Sequence, residues 1–352
     1  MSESTMEGFD PERLAKVDTL LQKGVKDKLF PSAVYSVSHK REVIASGAFG
    51  VPQPDSFEKR SASLDTLFDL ASITKTFTGV LLLLATEDGL IHLGLKVQDL
   101  LPEAKTSPVA NVTLTQLATH TSGLPPWKPL YRTSDPLQDI LQTPLEAEPG
   151  TRYAYSDLGY VLLTKILERV TGLSFDALVK TQILDPLNLT ETCFNPVSSL
   201  HFRIAATANC PIRDGKTLIG EVHDANAHSM KGISGHAGLF STAGEVTRYA
   251  EGLSTILRRL TLPKATQSQI PESIGGHSIG LFTATNSMLP SGDFFSNQCF
   301  GHTGFTGTML IIEPKHELTL VLLTNRVYYP TDATRALRLR RYFSNLIASA
   351  LR

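Results

Sequence analysis

The chain has 352 residues, 33 of them basic and 34 acidic, which gives a formal net charge of −1 at pH 7. A chain of this length buries a large core, arranged as one large unit or as two. Its balanced charge lacks the broad basic surface that nucleic acid or an anionic membrane attracts, so neither is expected as a partner. We expect a small-molecule substrate, and the sequence leaves the oligomeric state open.

The compartment is predicted from the N-terminus and the cysteines. The first ten residues, MSESTMEGFD, lack the basic start and apolar centre of a signal peptide. The longest apolar run, residues 80–85, is far shorter than the roughly 20 residues that span a bilayer. Cys193, Cys210 and Cys299 form neither a metal-type pair nor an even disulfide set, which is typical of a reducing compartment. We therefore expect a cytoplasmic protein.

The first elements in chain order are a helix and a β-hairpin. Residues 10–28 have apolar side chains at helical spacing after an acidic start, which predicts a helix. Residues 33–38 and 42–46 are short β-prone runs on either side of the charged turn His39-Lys40-Arg41. This pattern predicts two antiparallel strands.

The middle of the chain is mostly helical, and sheet signals return near its end. Helices are predicted over residues 73–87, 158–170 and 174–182, the first two ending at Gly89 and Gly172. Residues 309–312 and 318–323 predict a second hairpin, and residues 332–351 a last helix.

These elements predict a mixed α/β fold of the α+β type, in which both ends of the chain build one antiparallel sheet. Helices from the two termini would flank that sheet, and a mainly helical region would be inserted between its strands. We place the sheet domain at residues 1–68 plus 230–352 and the helical domain at residues 69–229. A cleft is expected where the two meet.

The stretch "DLASITKTFTG" places Ser72 three residues before Lys75, where a polar segment becomes an apolar helix. One interpretation is that Ser72 caps the helix, as serine commonly does. The other is that Ser72 is a nucleophile, with the Lys75 ammonium one turn away and helix N–H dipoles directed at it. Spacing alone does not decide, because Ser56 and Lys59 repeat it within a polar loop.

Two further motifs lie on a turn and on a strand. "GTRYAYSDLGY" places Tyr155 just before a helix, and an adjacent ammonium would lower the pKa of its phenol and make it a usable base. "CFGHTGFTG" places His302, Thr303 and Gly304 beside the second hairpin, where glycine allows a substrate to lie close to the backbone.

Together the three motifs resemble those of the serine β-lactamase and penicillin-binding-protein-like hydrolases, in particular the class C β-lactamase and related esterase branch. The family motifs Ser-x-x-Lys, Tyr-x-Asn and Lys-Thr-Gly here read Ser72-Ile73-Thr74-Lys75, Tyr155-Ser156-Asp157 and His302-Thr303-Gly304. The segments "LATHTSGLP", "EPGTRYAYSDLGY" and "GHAGLFSTAGEVTRYA" extend the resemblance over nearly the whole chain.

The resemblance implies a serine hydrolase that works through an acyl-enzyme and needs neither a metal nor an organic cofactor. It implies that Ser72 is the nucleophile, Lys75 its charge partner and Tyr155 the general base. The backbone N–H groups of Ser72 and Phe305 would form the oxyanion hole.

Two departures from the family pattern suggest the substrate. Asp157 stands where the family usually has Asn, and an ionised carboxylate only accepts hydrogen bonds, so amide recognition is expected to suffer. His302 stands in place of the lysine that favours the carboxylates of penicillins or peptides, and imidazole is mostly neutral near pH 7.5. We therefore expect a carboxylesterase acting on small acyl esters, with a β-lactamase or a D-amino-acid peptidase or amidase as alternatives.

Other segments support rival hypotheses. Gly276-His277-Ser278-Ile279-Gly280 matches the Gly-x-Ser-x-Gly elbow formally, but the flanks do not supply its strand and helix, and we expect Ser278 on a strand of the sheet. Four residues, His223, Asp224, His228 and His236, suggest a metal-binding protein, although their spacing matches no standard zinc site. A non-catalytic binding protein on the same fold is a third hypothesis. The segment His120-Thr121-Ser122-Gly123 is interpreted as a structural helix end.

Overall fold

A computed structural model describes residues 8–208, 210, 212–330 and 333–352. The strands in these ranges are β1 (Ser32–His39), β2 (Glu42–Gly50), β3 (Phe68–Asp69), β4 (Cys193–Phe194), β5 (Leu239–Ser241), β6 (Phe282–Thr283), β7 (Phe300–Thr303), β8 (Met309–Glu313) and β9 (Leu318–Thr324). Six of them form one antiparallel sheet in the order β2-β1-β9-β8-β7-β6. The predicted mixed fold, with a sheet built from both ends of the chain, is confirmed.

Both predicted hairpins are present. β1 and β2 pair through His39 and Glu42, so Lys40 and Arg41 form the turn, with φ of 51° and 66°. Two successive positive φ angles are the geometry whose twist matches that of the flanking strands. β8 and β9 pair from Glu313 to Leu318 across the second predicted turn.

The helices of the described ranges are α1 (Pro11–Lys26), α2 (Thr74–Glu87), α3 (Val97–Leu100), α4 (Leu114–Ala118), α5 (Pro136–Leu141), α6 (Asp157–Thr171), α7 (Phe175–Val179), α8 (Ala225–Ser229), α9 (Ala243–Ile256), α10 (Leu262–Thr266) and α11 (Ala333–Ala350). The predicted helices correspond to α1, α2, α6, α7 and α11. α7 continues as a π-helix, Lys180–Leu184, beyond its predicted end. Asp332, at the predicted start of the last helix, lies outside the described residues.

Alternate residues of the central strands face two separate cores. On β9, Leu320 and Leu322 pack with α1 and α11, whereas Val321 and Leu323 belong to the core that contains α9 and the helical region. The sequence of a strand that is covered on both faces is a continuous run of apolar residues, because its side chains alternate between two buried layers. The sheet is therefore the middle layer of the molecule.

α2 is the buried helix that carries the first motif. It is apolar around most of its circumference, which is the pattern of a helix enclosed by other elements. A Cβ atom at Gly79 would lie 2.6 Å from the carbonyl oxygen of Ile279, so glycine is needed for this close approach. α2 is thereby fixed against the segment that leads into β6.

The inserted region, residues 69–229, contains α2 to α8 and also β4. β4 pairs with β5, which in turn pairs with β3, and these strands form a small separate sheet. The division into two domains at residues 69 and 229 stays a prediction.

Within the described ranges, none of the helices combines the length and the apolar character that crossing a bilayer requires. Most of the N-terminal stretch from which a cytoplasmic location was predicted, residues 1–7, lies outside the described part of the chain.

Candidate active site

Ser72 lies in a tight turn between β3 and α2. The turn, Ala71–Ile73, is a single 3-10 turn, and Ala71 has a φ of 48°, in the left-handed region that residues with a side chain rarely adopt. α2 begins at Thr74, and no side chain caps its first N–H groups. Ser72 is therefore not a helix cap in this structure. Its partly exposed side chain lines a cavity.

Lys75 is buried beneath Ser72 with three acceptors around its ammonium. Its Nζ donates to Ser72 Oγ and to the carbonyl oxygen of His236, each at 3.0 Å, and lies 2.7 Å from Oδ1 of Asp157. The Lys75 side chain has no exposed surface. A buried ammonium is stable only when it is paired and hydrogen-bonded, and here the carboxylate of Asp157 pairs with it.

Tyr155 lies against both residues. Its ring centroid is 5.0 Å from Lys75 Nζ, and its side chain hydrogen-bonds with Ser72. Burial and the negative charge of Asp157 raise the pKa of Tyr155 well above its usual value, although the hydrogen bond with Ser72 lowers it. The sequence predicted a lowered pKa, and that prediction was wrong in direction.

The third motif, His302-Thr303-Gly304, lies at the end of β7. Thr303 and Gly304 line the cavity, whereas His302 is buried behind it, stacked on Phe282 with ring centroids 4.2 Å apart. Nδ1 of His302 lies 2.8 Å from the carbonyl oxygen of Thr303, and burial together with the charge of Lys75 holds the pKa of His302 well below its usual value. Any substrate contact from this motif is therefore left to Thr303 and Gly304.

Gly304 is required for the approach of β7 to the Ser72 turn. A Cβ atom on Gly304 would lie 2.4 Å from the carbonyl oxygen of Leu70 and 2.0 Å from Thr308 Oγ1. The next residue, Phe305, also lines the cavity, and none of the described residues accepts a hydrogen bond from its backbone N–H. This N–H group is thus available for an oxyanion, as the motif position implied.

The histidines of the suggested metal site serve separate structural roles. His236 Nε2 lies 2.8 Å from Asp224 Oδ1, while His223 Nε2 lies 3.0 Å from the carbonyl oxygen of Ala208. His228 is half exposed and 3.9 Å from Glu221. These four predicted ligands do not converge on one point.

A different group, Asp157, Asp224 and His236, has ligand atoms within 4.8 Å of one another, the single such group in the described part of the chain. Asp157 is already paired with the Lys75 ammonium, and Asp224 with His236. Burial raises the pKa of Asp224, but the charge and hydrogen bond of His236, the backbone N–H of Ala227 and the charge of Lys75 together hold it below its usual value. The Asp224–His236 pair thus fixes the carbonyl oxygen that accepts from Lys75.

Two other predicted residues lie outside the catalytic geometry. Ser278 is fully buried in a turn, not on a strand as expected, and its Oγ donates to the carbonyl oxygens of Ala265 and Leu281. His120 is buried, and its Nδ1 accepts the backbone N–H of Ser156 at 2.9 Å. His120 therefore holds the Tyr155-Ser156 turn in place, which agrees with the structural interpretation.

Asp69 is a residue of the site that sequence reasoning missed. It ends β3, is 2% exposed, and accepts the backbone N–H groups of Ala71 at 2.9 Å and His223 at 2.7 Å. It thereby ties the left-handed Ala71 turn to the loop that carries Asp224. In the sequence, nothing distinguishes a lone aspartate that precedes a motif from any other aspartate.

Asp69 gives the site a predicted pH dependence. Burial raises its pKa from 3.8 to about 6; the N–H groups of His223 and Ala71 and the charge of Arg213 oppose that rise, while the charge of Asp224 adds to it. Protonation turns one accepting oxygen into a hydroxyl, so kcat/KM should fall as the pH drops through about 6. Because the folded-state pKa lies above the unfolded value, the same group stabilises the fold increasingly as pH falls from about 7 towards 4.

The measurement is the pH profile of kcat/KM, with thermal unfolding at each pH. Asp69→Asn should lose about tenfold in kcat/KM at pH 7.5, since one N–H group loses its acceptor, and should lose the acid limb near pH 6. Asp185→Asn, an exposed aspartate paired with Lys180, is the control. An acid limb that persists in Asp69→Asn would refute this role.

The cavity in front of Ser72 measures about 1020 Å³. It lies between the Ser72 turn, the end of β7, α11 and the loops that carry Trp127, Tyr131 and Met288. A cavity of this size accommodates a small organic substrate.

Comparisons with known proteins agree with the family resemblance of the three motifs. The Beta-lactamase family model matches residues 17–343. A putative D-alanyl-D-alanine carboxypeptidase of Escherichia coli K12 is 32% identical, over 94% of this chain and 86% of its own length. An N-acetylmuramyl-L-alanine amidase of Bacillus subtilis is 30% identical, over 92% and 83%. Among solved structures, EstCE1, a hydrolase with promiscuous acyltransferase activity, superposes with a TM-score of 0.77 at 21% identity, covering 95% of this chain and 98% of EstCE1.

The chain belongs to the β-lactamase family, and it is a serine hydrolase of that family.

Proposed function

We propose that Ser72 forms an acyl-enzyme with an ester substrate and that water then releases the acid. The observation that carries the proposal is the Ser72–Lys75–Asp157 chain, with contacts of 3.0 Å and 2.7 Å. Because Asp157 pairs with the ammonium, Lys75 is a cation that stabilises negative charge on Ser72 Oγ. A cation so placed lowers the barrier most when that charge develops in the transition state.

Tyr155 acts as a proton shuttle in this proposal. A phenol whose pKa is raised does not store a phenolate in the free enzyme. As Ser72 Oγ bonds to the acyl carbon, its proton passes to Tyr155 Oη while the phenol proton passes to the departing alkoxide oxygen. The bond between acyl carbon and alcohol breaks, and Tyr155 is neutral before and after.

The backbone N–H groups of Ser72 and Phe305 stabilise the tetrahedral oxyanion. Phe305 N–H has no acceptor among the described residues, so it is free to donate to the substrate. One such donor contributes roughly 3–4 kcal/mol to transition-state stabilisation. Deacylation reverses the proton path, with water in the place of the alcohol.

Small acyl esters are the proposed substrates because the site lacks two groups that amide recognition uses. The carboxylate of Asp157, paired with Lys75, accepts hydrogen bonds and does not donate to an acyl-amide carbonyl. His302 is neutral and sits behind the cavity. The second candidate is a peptidase or amidase, favoured by the two relatives, which are named a carboxypeptidase and an amidase.

The test compares kcat/KM for p-nitrophenyl butyrate, nitrocefin and N-acetyl-D-alanyl-D-alanine. We expect the ester to exceed both amide-type substrates by about a hundredfold or more, since an unmatched polar contact in a closed site is discriminated strongly. Ser278→Ala is the control and should retain the wild-type order. Cleavage of the dipeptide as efficiently as the ester would favour the second candidate.

A further inference from the structure

Asp224 presents an unused carboxylate oxygen to the active-site cavity. Its Oδ1 accepts both hydrogen bonds that the side chain makes with described residues, from His236 Nε2 at 2.8 Å and from the backbone N–H of Ala227 at 2.7 Å. None of the described residues donates a hydrogen bond to Oδ2. The Asp224 side chain lines the same cavity as Ser72 and is 26% exposed, so Oδ2 is accessible to a molecule in that cavity.

The fold alone does not require a carboxylate at this position. The carbonyl oxygen of an asparagine would accept the same two hydrogen bonds and would cap α8 as well. Although burial raises the pKa of Asp224, its contacts with His236 and α8 and the charge of Lys75 hold that pKa below its usual value, so the carboxylate is ionised at neutral pH. Burial and Asp157 raise the pKa of Tyr155, and the charge of Asp224 adds to that rise. A charge that the fold does not need, and that opposes ionisation of Tyr155, indicates a role in the reaction.

The other polar groups beside Ser72 already have partners. The three hydrogens of the Lys75 ammonium have three acceptors, and Tyr155 hydrogen-bonds with Ser72. Carboxylate oxygens of Asp157 and Asp224 lie within 4.8 Å of each other, which places Asp224 next to this group. The free oxygen of Asp224 is therefore positioned to accept a hydrogen bond from a molecule beside Ser72.

We propose that Asp224 is a catalytic residue of deacylation, whose Oδ2 accepts a hydrogen bond from the water that attacks the acyl group on Ser72. This inference rests on the proposed function and adds to it the group that holds the water. As the water oxygen bonds to the acyl carbon, one of its hydrogens points at Asp224 and the other passes to Tyr155 Oη. The phenol proton passes to Ser72 Oγ, whose bond to the acyl carbon breaks. The released acid keeps the hydrogen that pointed at Asp224.

Acylation does not use Asp224 in this proposal, because the first nucleophile is Ser72 and no water takes part. Loss of the carboxylate should therefore slow the second step and spare the first. When deacylation limits turnover, kcat and KM fall by the same factor, kcat/KM is preserved, and the acyl-enzyme accumulates.

Asp224→Asn is the main variant, because its carbonyl oxygen keeps the hydrogen bonds with His236 and α8. We expect kcat for p-nitrophenyl butyrate to fall about a hundredfold while kcat/KM stays within about threefold, and intact mass to show a butyryl group that peptide mapping places on Ser72. Asp224→Glu keeps a carboxylate in a shifted position and should show the same split at about tenfold, so either variant alone tests the role.

Asp135→Asn is the matched control. Asp135 caps α5 through the backbone N–H of Gln138, as Asp224 caps α8 through that of Ala227, but it does not line the cavity. Its loss should leave both kcat and kcat/KM at the wild-type values.

Hydroxylamine supplies a readout that a purely structural role would not change. It attacks an ester before it loses a proton, so its reaction depends less than that of water on a group that accepts from the nucleophile. The butyryl-enzyme of Asp224→Asn, isolated by rapid desalting, should decay slowly in buffer and release its acyl group as the hydroxamate when hydroxylamine is added. The acceleration should exceed that of the wild type.

Asp157 is the other carboxylate in the cavity wall, and the same kinetics distinguish it from Asp224. Because Asp157 pairs directly with Lys75, Asp157→Asn should lower kcat and kcat/KM together. Equal losses of kcat and kcat/KM in Asp224→Asn, or a selective loss of kcat in Asp157→Asn alone, would overturn the role of Asp224 and leave the proposed function standing. Absence of ester hydrolysis and of any acyl group on Ser72, in the wild type and in the variants, would overturn the proposed function and this inference with it.

Discussion

Ser72→Ala is expected to reduce the hydrolysis of p-nitrophenyl acetate and butyrate about ten-thousandfold or more. The reason is that the hydroxyl that receives the acyl group is gone, while Lys75 and the oxyanion N–H groups remain. The free energy of unfolding should change by less than about 1 kcal/mol, because Ser72 Oγ caps no helix. Initial rates and thermal unfolding measure the two quantities.

Ser56→Ala is the matched control for this prediction. Ser56 has the same spacing to Lys59, but lies in a loop outside the helices and strands. Its loss should leave turnover at the wild-type rate. A folded Ser72→Ala protein with wild-type turnover would show that the nucleophile lies elsewhere.

The second large effect concerns Lys75 and Tyr155, which we expect to act as one unit. Lys75→Ala and Tyr155→Phe should each lower kcat/KM about a thousandfold, because both remove support from the same proton transfer at Ser72 Oγ. The double variant should lose little more than either single variant, since groups that share one step are not additive. Strict additivity of the logarithms of kcat/KM would count against the coupling.

A stability control accompanies this comparison. Lys75→Ala leaves the Asp157 carboxylate without its cation, which is expected to destabilise the fold by about 3–5 kcal/mol. Adding Asp157→Asn removes that uncompensated charge and should restore much of the stability. Activity should stay low, which separates the catalytic loss from the structural one.

The sequence predicted the parts of the fold that local patterns determine. The hairpin of β1 and β2 follows from two β-prone runs around a charged turn, and α2 and α6 follow from helical spacing with glycine stops. The two-residue strands β3 and β4 were missed, because their pairing with β5 is non-local and leaves no periodicity of its own. α9 was missed as well, although its contact with the sheet completes the second core.

The residues of the candidate site also fall into those that local patterns predict and those that they do not. Ser72 and Lys75 are three residues apart on one turn, so the spacing in the sequence predicts their contact. Asp69 and His223 are 154 positions apart, and no pattern within either segment indicates that they meet. The shift in the pKa of Tyr155 was predicted in the wrong direction. Burial and the charge of Asp157, the partner of Lys75, raise this pKa, and the nearby ammonium does not decide it alone.

The most direct test of the central claim is the site of covalent labelling by a serine-reactive p-nitrophenyl phosphonate. Intact mass should show one adduct per chain, and peptide mapping should place it on Ser72, with no adduct in Ser72→Ala. An adduct on Ser278 in place of Ser72, or an unchanged yield of adduct in Ser72→Ala, would contradict the assignment of the nucleophile.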